Sequence, residues 1–534
     1  MEETAEQIFT VTLRASGTGY APEAQSLPAP VLEQVAPDGF VTAAVLAEKA
    51  RRFDHRLLAS VETLAQNGVG AWKGKTHLLR TLARTIAGTV KPDEASLTVM
   101  TAARIGGAGL PEPFATVAQT RAQAFLADPT RAVALGLFAG SQDLEIAGRQ
   151  ERLLCEPLQG KDGIARIAEI LRADAALRKI YDDLMLLRSR LDGRPEQPTL
   201  HQALDAPVLP ASGLSFLPNR RSLDDRIAQR LLGASAPTES RARVDACVRR
   251  LRESEISLAP DAESGWHDWI AWSLEPLARP EASPEAVRLR FSDSYRAALL
   301  ELFRGTLGHA ASMRIGAPPM EHGSDREQRA LVITPSFRVE PLPTHYLRRG
   351  LAYRFLAQSL LEVFGADTLA GLTRATRLGV KSLNDELLEM ETLFLGAFHV
   401  ACEDLGLRLD SAIETDPAPF LRWSGGSDPD LARDARELWP IAYDPARRQV
   451  RTLLTLGWTE RRIEVAYLTN PPCSVFDPEE RLVHERRIGF APQISRAPAP
   501  VTLEVFVSAG MSRSEIRALG DRCGSVEELV HRLR

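Results

Sequence analysis

The feature that most constrains this chain is a helical repeat of apolar residues that covers most of its length. Between residues 41 and 192, apolar side chains recur every three or four positions, and glycine or proline interrupts the pattern about every 10 to 20 residues, the usual length of globular helices. A second helical block extends from Ser222 to about Asp410. Because each such helix has an apolar face that must be buried, the pattern predicts a mainly α protein of many packed helices.

Strand patterns lie at the two ends of the chain. The segment "QIFTVTLRAS" alternates like a short strand, and after residue 425 three segments alternate with period two and are rich in β-branched residues. They predict a smaller α+β C-terminal region containing an antiparallel hairpin. We expect the hairpin turn at Thr459 and Glu460.

A proline-rich stretch is the clearest candidate linker. It extends from Gly193 to Gly213, and its prolines prevent a continuous helix. Together with the change of pattern near residue 412, it predicts three regions: a helical region with a short N-terminal strand (1–195), a second helical region (214–412) and the α+β region (425–534). A chain of 534 residues is long enough for several domains.

Composition excludes several classes of protein. Hydrophobic residues make up 44% of the chain and charged residues 25%, which is typical of globular proteins and not of disordered or fibrous ones. The net charge of −5 is spread along the chain, so nucleic acid is not an expected partner. No segment reaches the ~20 apolar residues of a membrane-spanning helix, so we expect no membrane association.

The expected compartment is the cytoplasm of a bacterium. The five cysteines are widely spaced and show no zinc-site spacing, which fits free thiols in a reducing environment. The first residues lack the basic and apolar parts of a signal peptide. The excess of arginine over lysine is typical of a GC-rich bacterial genome.

A Gly-Lys-Thr triplet suggests a phosphate-binding loop. Gly74, Lys75 and Thr76 have the right order, but the position five before Gly74 is Val69, and the preceding segment has helical and not strand periodicity. We therefore expect a turn between two helices, with Gly68 as the C-cap of the first. The alternative is a simple anion site at the start of the helix near Lys75.

A His-Asp dipeptide, His267–Asp268, resembles the motif of metal phosphohydrolases of the HD type. Such a site needs further histidine and aspartate ligands, and the nearest preceding histidine is His201. A pair at the edge of an apolar helix face is the competing interpretation.

Three tryptophans flank this dipeptide at helical spacing. Trp266, Trp269 and Trp272 span an arc of about 120° on a helix, since successive residues are ~100° apart. This apolar face predicts packing against the core or against a protein partner, including a second copy of the chain.

The helix predicted over 344–364 carries the most informative charge. Placed at ~100° intervals, Arg349 falls in an otherwise apolar arc with His345, Tyr346 and Tyr353. A buried guanidinium needs a partner, because an uncompensated buried charge costs several kcal/mol. These four side chains are the candidate substrate-binding residues.

A polar stripe on the helix predicted over 383–405 offers such a partner. Its members are Asp385, Glu389, Thr392, Gly396, His399 and Glu403. In one interpretation the stripe faces solvent and Arg349 forms a structural ion pair. In the other it lines a cleft between the two helices.

In that cleft Arg349 would orient a small anionic substrate, and His399 with Glu403 would transfer protons or bind a metal. Gly396 favours a close approach by backbone or ligand at mid-stripe. A polar loop with Glu321, His322 and Asp325 could close over it.

No complete nucleotide, metal, nucleophile or cofactor signature is present in the sequence. The leading expectation is therefore a binding or assembly protein without intrinsic catalysis, contacting its partner through Trp266, Trp269 and Trp272. The alternatives are an enzyme acting on a small anionic substrate in the cleft, with His399 and Glu403 as catalytic candidates, and an HD-like metal-dependent hydrolase. No cofactor is assigned, and the sequence does not decide whether the protein is an enzyme.

Overall fold

The computed structural model describes most of the chain. The described residues are 9–16, 27–89, 93–195, 197–206, 213–219, 223–233, 240–253, 256–310, 331–376, 379–409, 413–469, 488–508, 515, 518–519 and 522–533. Over these residues the protein is mainly α, with a mixed sheet and a small antiparallel hairpin, which confirms the predicted fold class.

Helices form the first part of the chain, as the apolar repeat predicts. They are α1 (Ala43–Asn67), α2 (Lys75–Thr89), α3 (Glu94–Ile105), α4 (Phe114–Ala127), α5 (Pro129–Ala132), α6 (Gln142–Leu154), α7 (Lys161–Ala173), α8 (Ala175–Asp192) and α9 (Leu200–Ala203), with a 3₁₀ turn at Gly136–Ala139. The Thr42 side chain caps the start of α1 by accepting the N–H of Val45. Gly68 ends α1 with a φ of 79°, a conformation that favours glycine, so the predicted C-cap is confirmed.

Further helices follow and share the main core with the first set. They are α10 (Leu223–Leu232), α11 (Ser240–Glu253), α12 (Trp266–Ala278), α13 (Asp293–Ala310), α14 (Pro343–Phe364), α15 (Ala366–Gly371), α16 (Leu383–Leu405), α17 (Ala418–Ser424) and α18 (Val526–Leu533), with 3₁₀ turns at Pro280–Ala282 and Pro284–Val287. Gly365 ends α14, and the Ser382 side chain caps α16. Among the described helices, none combines the length and the apolarity that crossing a bilayer requires.

The main sheet gathers strands from distant parts of the sequence. The strands are β1 (Phe9–Ser16), β2 (Leu289–Phe291), β3 (Leu331–Ile333), β4 (Thr373–Thr376), β5 (Gly379–Ser382), β6 (Glu437–Asp444), β7 (Gln449–Thr469), β8 (Ile488–Phe490) and β9 (Gln493–Ser508). The order is β2-β1-β7-β6, with β9 also paired to β7; β1 and β2 are parallel and the other pairs of this sheet antiparallel. β3 pairs with β8 in parallel, and β4 with β5 antiparallel.

The hairpin turn predicted at Thr459 and Glu460 is wrong. β7 continues through both residues, and the hairpin instead joins β6 to β7 across residues 445–448. There the Asp444 side chain accepts the two backbone N–H groups that open the turn, and Arg448 adopts a φ of 53°. β9 pairs with β7 on both sides of the predicted turn, so the ladder holds this segment extended.

One continuous core joins the helices to the sheet. It extends from Leu13 in β1 through Phe53 in α1 and Phe394 in α16 to Ile463 in β7. A smaller core forms between β6, β7, β9 and α18. The three predicted domains stay a prediction, but the main sheet takes β1 from the first region, β2 from the second and its remaining strands from the third.

Candidate functional site

The inward-facing arginine of α14 belongs to a buried cluster with α1. Arg349 is 4% exposed, and its Nη2 donates to the Asp54 carboxylate and, over 3.1 Å, to Tyr353 Oη. Tyr353 donates to Asp54 Oδ1 over 2.8 Å. The burial of Arg349 agrees with the helical projection. Its carboxylate partner, however, comes from α1 and not from the polar stripe of α16, so that expectation is wrong.

The cleft predicted between 344–364 and 383–405 is not formed, because α14 and α16 pack directly against each other. A Cβ atom at Gly350 would lie 2.7 Å from Leu395 Cδ2. On the other side of α16, a Cβ atom at Gly396 would lie 2.8 Å from Phe420 Cβ and 3.0 Å from the Asp416 carbonyl oxygen. The close approach expected at Gly396 is therefore made by α17 and the residues before it.

The catalytic candidates His399 and Glu403 lie away from Arg349, near the surface. His399 Nδ1 contacts Thr415 Oγ1 at 2.8 Å, and its Nε2 lies 3.3 Å from Glu403 Oε1. Glu403 is exposed and accepts a bond from Arg338 over 2.9 Å, which lowers the pKa of Glu403. Their catalytic role stays a prediction, without the cleft that motivated it. The loop with Glu321, His322 and Asp325 lies outside the described residues.

Two of the four predicted substrate-binding residues have structural partners elsewhere. His345 Nδ1 donates to the Ser273 carbonyl of α12 over 2.6 Å, and Tyr346 donates to the Glu340 carbonyl over 2.9 Å. Both side chains are buried. They fasten α14 to its neighbours and do not line the cavity described next.

A cavity of about 70 Å³ lies between α1, α12 and α14, with β6 at its side. The lining residues used below are Arg51, Asp54, Trp266, His267, Arg349 and Trp439. Since a cavity needs about 10–15 Å³ to hold one water molecule, this one has room for roughly five to seven water-sized groups.

Two lining side chains have hydrogen-bond donors without acceptors. Arg349 Nη1 and Trp266 Nε1 are buried, and neither has a partner among the described residues. Trp266 is fully buried. Because buried donors are nearly always paired in folded proteins, two such donors on side chains that line one cavity make this cavity the candidate site.

Burial controls the electrostatics of the Arg349 pair. It raises the pKa of the Asp54 carboxyl, and the neighbouring Arg349 and Tyr353 offset this only in part. Burial lowers the pKa of Arg349, but the charges of Asp54 and Tyr353 and the hydrogen bonds to both together outweigh it, so the pKa is raised and the guanidinium stays protonated.

Arg51, the arginine of α1 that lines the cavity, already has carboxylate partners. Arg51 Nε donates to Glu48 over 2.7 Å, and its Nη1 donates to Glu437 over 3.2 Å. It also lies over the Trp439 ring, 5.3 Å from the centroid. Arg349 is therefore the lining guanidinium with hydrogen-bonding capacity to spare.

The tryptophan face of α12 packs inside the protein. Trp266 lies at the cavity, Trp269 stacks on Phe355 of α14 at 5.3 Å, and Trp272 lies under the Arg348 guanidinium at 4.5 Å. The fully buried Trp266 cannot contact a partner protein, so its predicted partner-binding role is wrong. The other two are partly buried against α14, which is the packing alternative of the sequence interpretation.

The side chains of His267 and Asp268 in α12 contact different partners and not each other. His267 Nδ1 lies 3.1 Å from Asp192 Oδ1 at the end of α8, while the Asp268 side chain caps α12 by accepting the Gly265 N–H over 2.8 Å. Within the described ranges, no cluster of three or more histidine, cysteine or acidic side chains could hold a metal. The HD-like hydrolase has no structural support in this part of the chain.

The Gly-Lys-Thr triplet lies at the start of α2, in the turn between two helices that the spacing predicts. Lys75 Nζ points inward and donates to Glu151 over 3.0 Å and to the Ala147 carbonyl over 3.1 Å. The Lys75 ammonium group is therefore not available to the anion site that was the alternative there.

A larger open groove of about 530 Å³ borders α1 on another face. Its charged groups are engaged with one another: Arg56 and Arg374 both contact Asp430, and Arg374 also binds Glu386. The smaller cavity, with its unsatisfied donors, is the better candidate site.

Sequence reasoning missed the contribution of α1 and α8. The segment "EKARRFDHR", residues 48–56, has charged or polar side chains at most positions of two helical turns. Such a helix cannot direct all of them to solvent if it also packs on a core, which signals buried ion pairs. Nothing local connects Asp54 with Arg349, or Asp192 with His267, because tertiary packing alone brings them together.

Comparisons of the chain with protein-family models, curated proteins and solved structures gave no match.

Proposed function

We propose that this protein binds a small anionic ligand in the cavity between α1, α12 and α14. The observation that carries the proposal is the pair of buried donors, Arg349 Nη1 and Trp266 Nε1, at a cavity large enough for a small acid. A carboxylate supplies the acceptors that both donors lack. The proposal keeps the small anionic ligand of the enzyme alternative, and it replaces the α14–α16 cleft with this cavity.

A ligand screen tests the proposal directly. Acetate, propionate, glycolate, lactate and inorganic phosphate are titrated while thermal unfolding is recorded. A ligand that binds the folded state at about 100 times its Kd stabilises it by ~2.7 kcal/mol, so at least one carboxylate should raise the unfolding temperature. A cavity that holds only water predicts no stabilisation by any of them.

Two matched variants locate the binding site. Trp266→Phe removes one unsatisfied donor from the cavity, and we expect the stabilising carboxylate to bind more weakly by about 1.5–3 kcal/mol, the usual worth of a hydrogen bond to a charged group. Trp269→Phe is the control, because Trp269 Nε1 is also buried without a partner but does not line the cavity. Equal weakening in both variants would contradict the proposal.

Arg349 requires a paired substitution. Removing it alone leaves Asp54 buried without its cation, which typically costs 3–5 kcal/mol of stability. The double variant Arg349→Met with Asp54→Asn removes both charges. We expect it to fold and to lose all stabilisation by the carboxylate.

A further inference from the structure

His267 adds a hydrogen-bond acceptor beside the two donors of the cavity. Its Nδ1 lies 3.1 Å from Asp192 Oδ1, and an ionised carboxylate can only accept, so Nδ1 holds the proton. In a neutral imidazole Nε2 is then the acceptor, and it has no hydrogen-bond partner among the described residues. The side chain is 13% exposed and lines the cavity.

The backbone holds this pair in place. His267 is in the first turn of α12 and Asp192 is the last residue of α8. The two helix ends are in tight contact, since a Cβ atom at Gly265 would lie 2.7 Å from the Leu191 carbonyl oxygen. Asp192 is therefore a positioning residue that sets both the orientation and the tautomer of His267.

The acceptor and one donor are neighbours on the same turn. The ring centroids of Trp266 and His267 are 5.5 Å apart. A ligand that satisfies both needs an acidic oxygen and, close to it, a hydroxyl group that can donate to Nε2. The cavity of about 70 Å³ limits such a molecule to a few non-hydrogen atoms.

We propose, building on the proposed function, that the ligand is a small 2-hydroxy acid of the size of glycolate or lactate. Its carboxylate accepts from Arg349 and Trp266, and its hydroxyl donates to His267 Nε2. A site built to hydrogen-bond a hydroxyl rejects the analogue that lacks it, because the acceptor is then left unpaired. His267 is thus the residue that determines specificity.

Matched pairs of acids test this inference by isothermal titration calorimetry at pH 8. The wild-type protein is expected to bind glycolate at least tenfold more tightly than acetate, and lactate at least tenfold more tightly than propionate. His267→Phe should abolish this preference while the affinity for acetate changes less than about threefold. His267→Gln, whose amide oxygen can accept, should restore part of the preference.

A second Asp–His pair supplies the control. His201 Nε2 lies 2.9 Å from Asp182 Oδ1, away from the cavity, and His201→Phe should leave the glycolate-to-acetate ratio unchanged. Asp192→Asn should reduce that ratio, whereas a purely structural role would weaken both acids equally.

The outcomes separate the two proposals. Equal affinities of wild-type protein for glycolate and acetate, or a preference that survives His267→Phe, overturn the 2-hydroxy acid and leave anion binding intact. If neither these four acids nor inorganic phosphate binds, both proposals fail.

Discussion

At the scale of single residues, several buried polar side chains of this protein are held by defined partners. The Asp54–Arg349–Tyr353 cluster contains three hydrogen bonds, and the two that involve Asp54 join α1 to α14. His345 is a second case, because its Nδ1–H donates to the Ser273 carbonyl. Burial lowers the pKa of His345 to about 4, so the folded protein holds this imidazole neutral.

This residue makes stability depend on pH. The pKa of a histidine in an unfolded chain is about 6.5, above the folded value, so the stabilisation is complete above pH 6.5 and is lost as the pH falls towards 4. Urea unfolding at pH 8 and pH 5 should show a loss of about 2 kcal/mol from His345. His345→Asn keeps an N–H donor without the titration, and a variant with the same pH slope as the wild-type protein would refute the assignment.

At the scale of secondary-structure elements, close helix packing has replaced the predicted cleft. α14 and α16 approach at Gly350, where the Leu395 side chain occupies the place of a Cβ atom. Both helices span nearly the predicted residues, but the sequence of each helix does not determine the distance between the two helix axes.

Gly350→Ala tests this contact. Its Cβ atom would lie 2.7 Å from Leu395 Cδ2, so we expect a loss of about 1–3 kcal/mol in unfolding free energy, typical of overpacking. Gly305→Ala in α13 is the matched control, because no atom lies within 4 Å of its Cβ position. That control should be stabilised by up to about 1 kcal/mol, since alanine favours helix more than glycine does. Equal effects of the two substitutions in denaturant unfolding would show that α14 and α16 can separate freely.

At the scale of the whole molecule, the first strand connects distant segments. β1 pairs with β2 on one edge and with β7 on the other. Leu13 in β1 is fully buried in the core that also contains α1 and α16. The helices and the main sheet therefore bury each other's apolar side chains in this shared core.

Leu13→Ala should consequently destabilise the helices packed on β1 as well as β1 itself. We expect a loss of about 2–5 kcal/mol, with faster amide hydrogen exchange in α1 as well as in β7, measured by mass spectrometry. Arg14→Ala, on the exposed side of the same strand, should cost less than about 0.5 kcal/mol. Faster exchange confined to β1 and β7 would indicate that the helical part is stable by itself.

The sequence by itself determined the helical class, the C-terminal ends of α1 and α14, the extent of α16, and the inward direction of Arg349. These properties depend on local periodicity and capping, which neighbouring residues control. Only the tertiary structure decided that the hairpin turn precedes β7, that α17 covers Gly396, and that Asp54 and not the α16 stripe pairs with Arg349. Such contacts join residues far apart in the chain, and many carboxylates satisfy a guanidinium equally well until packing selects one.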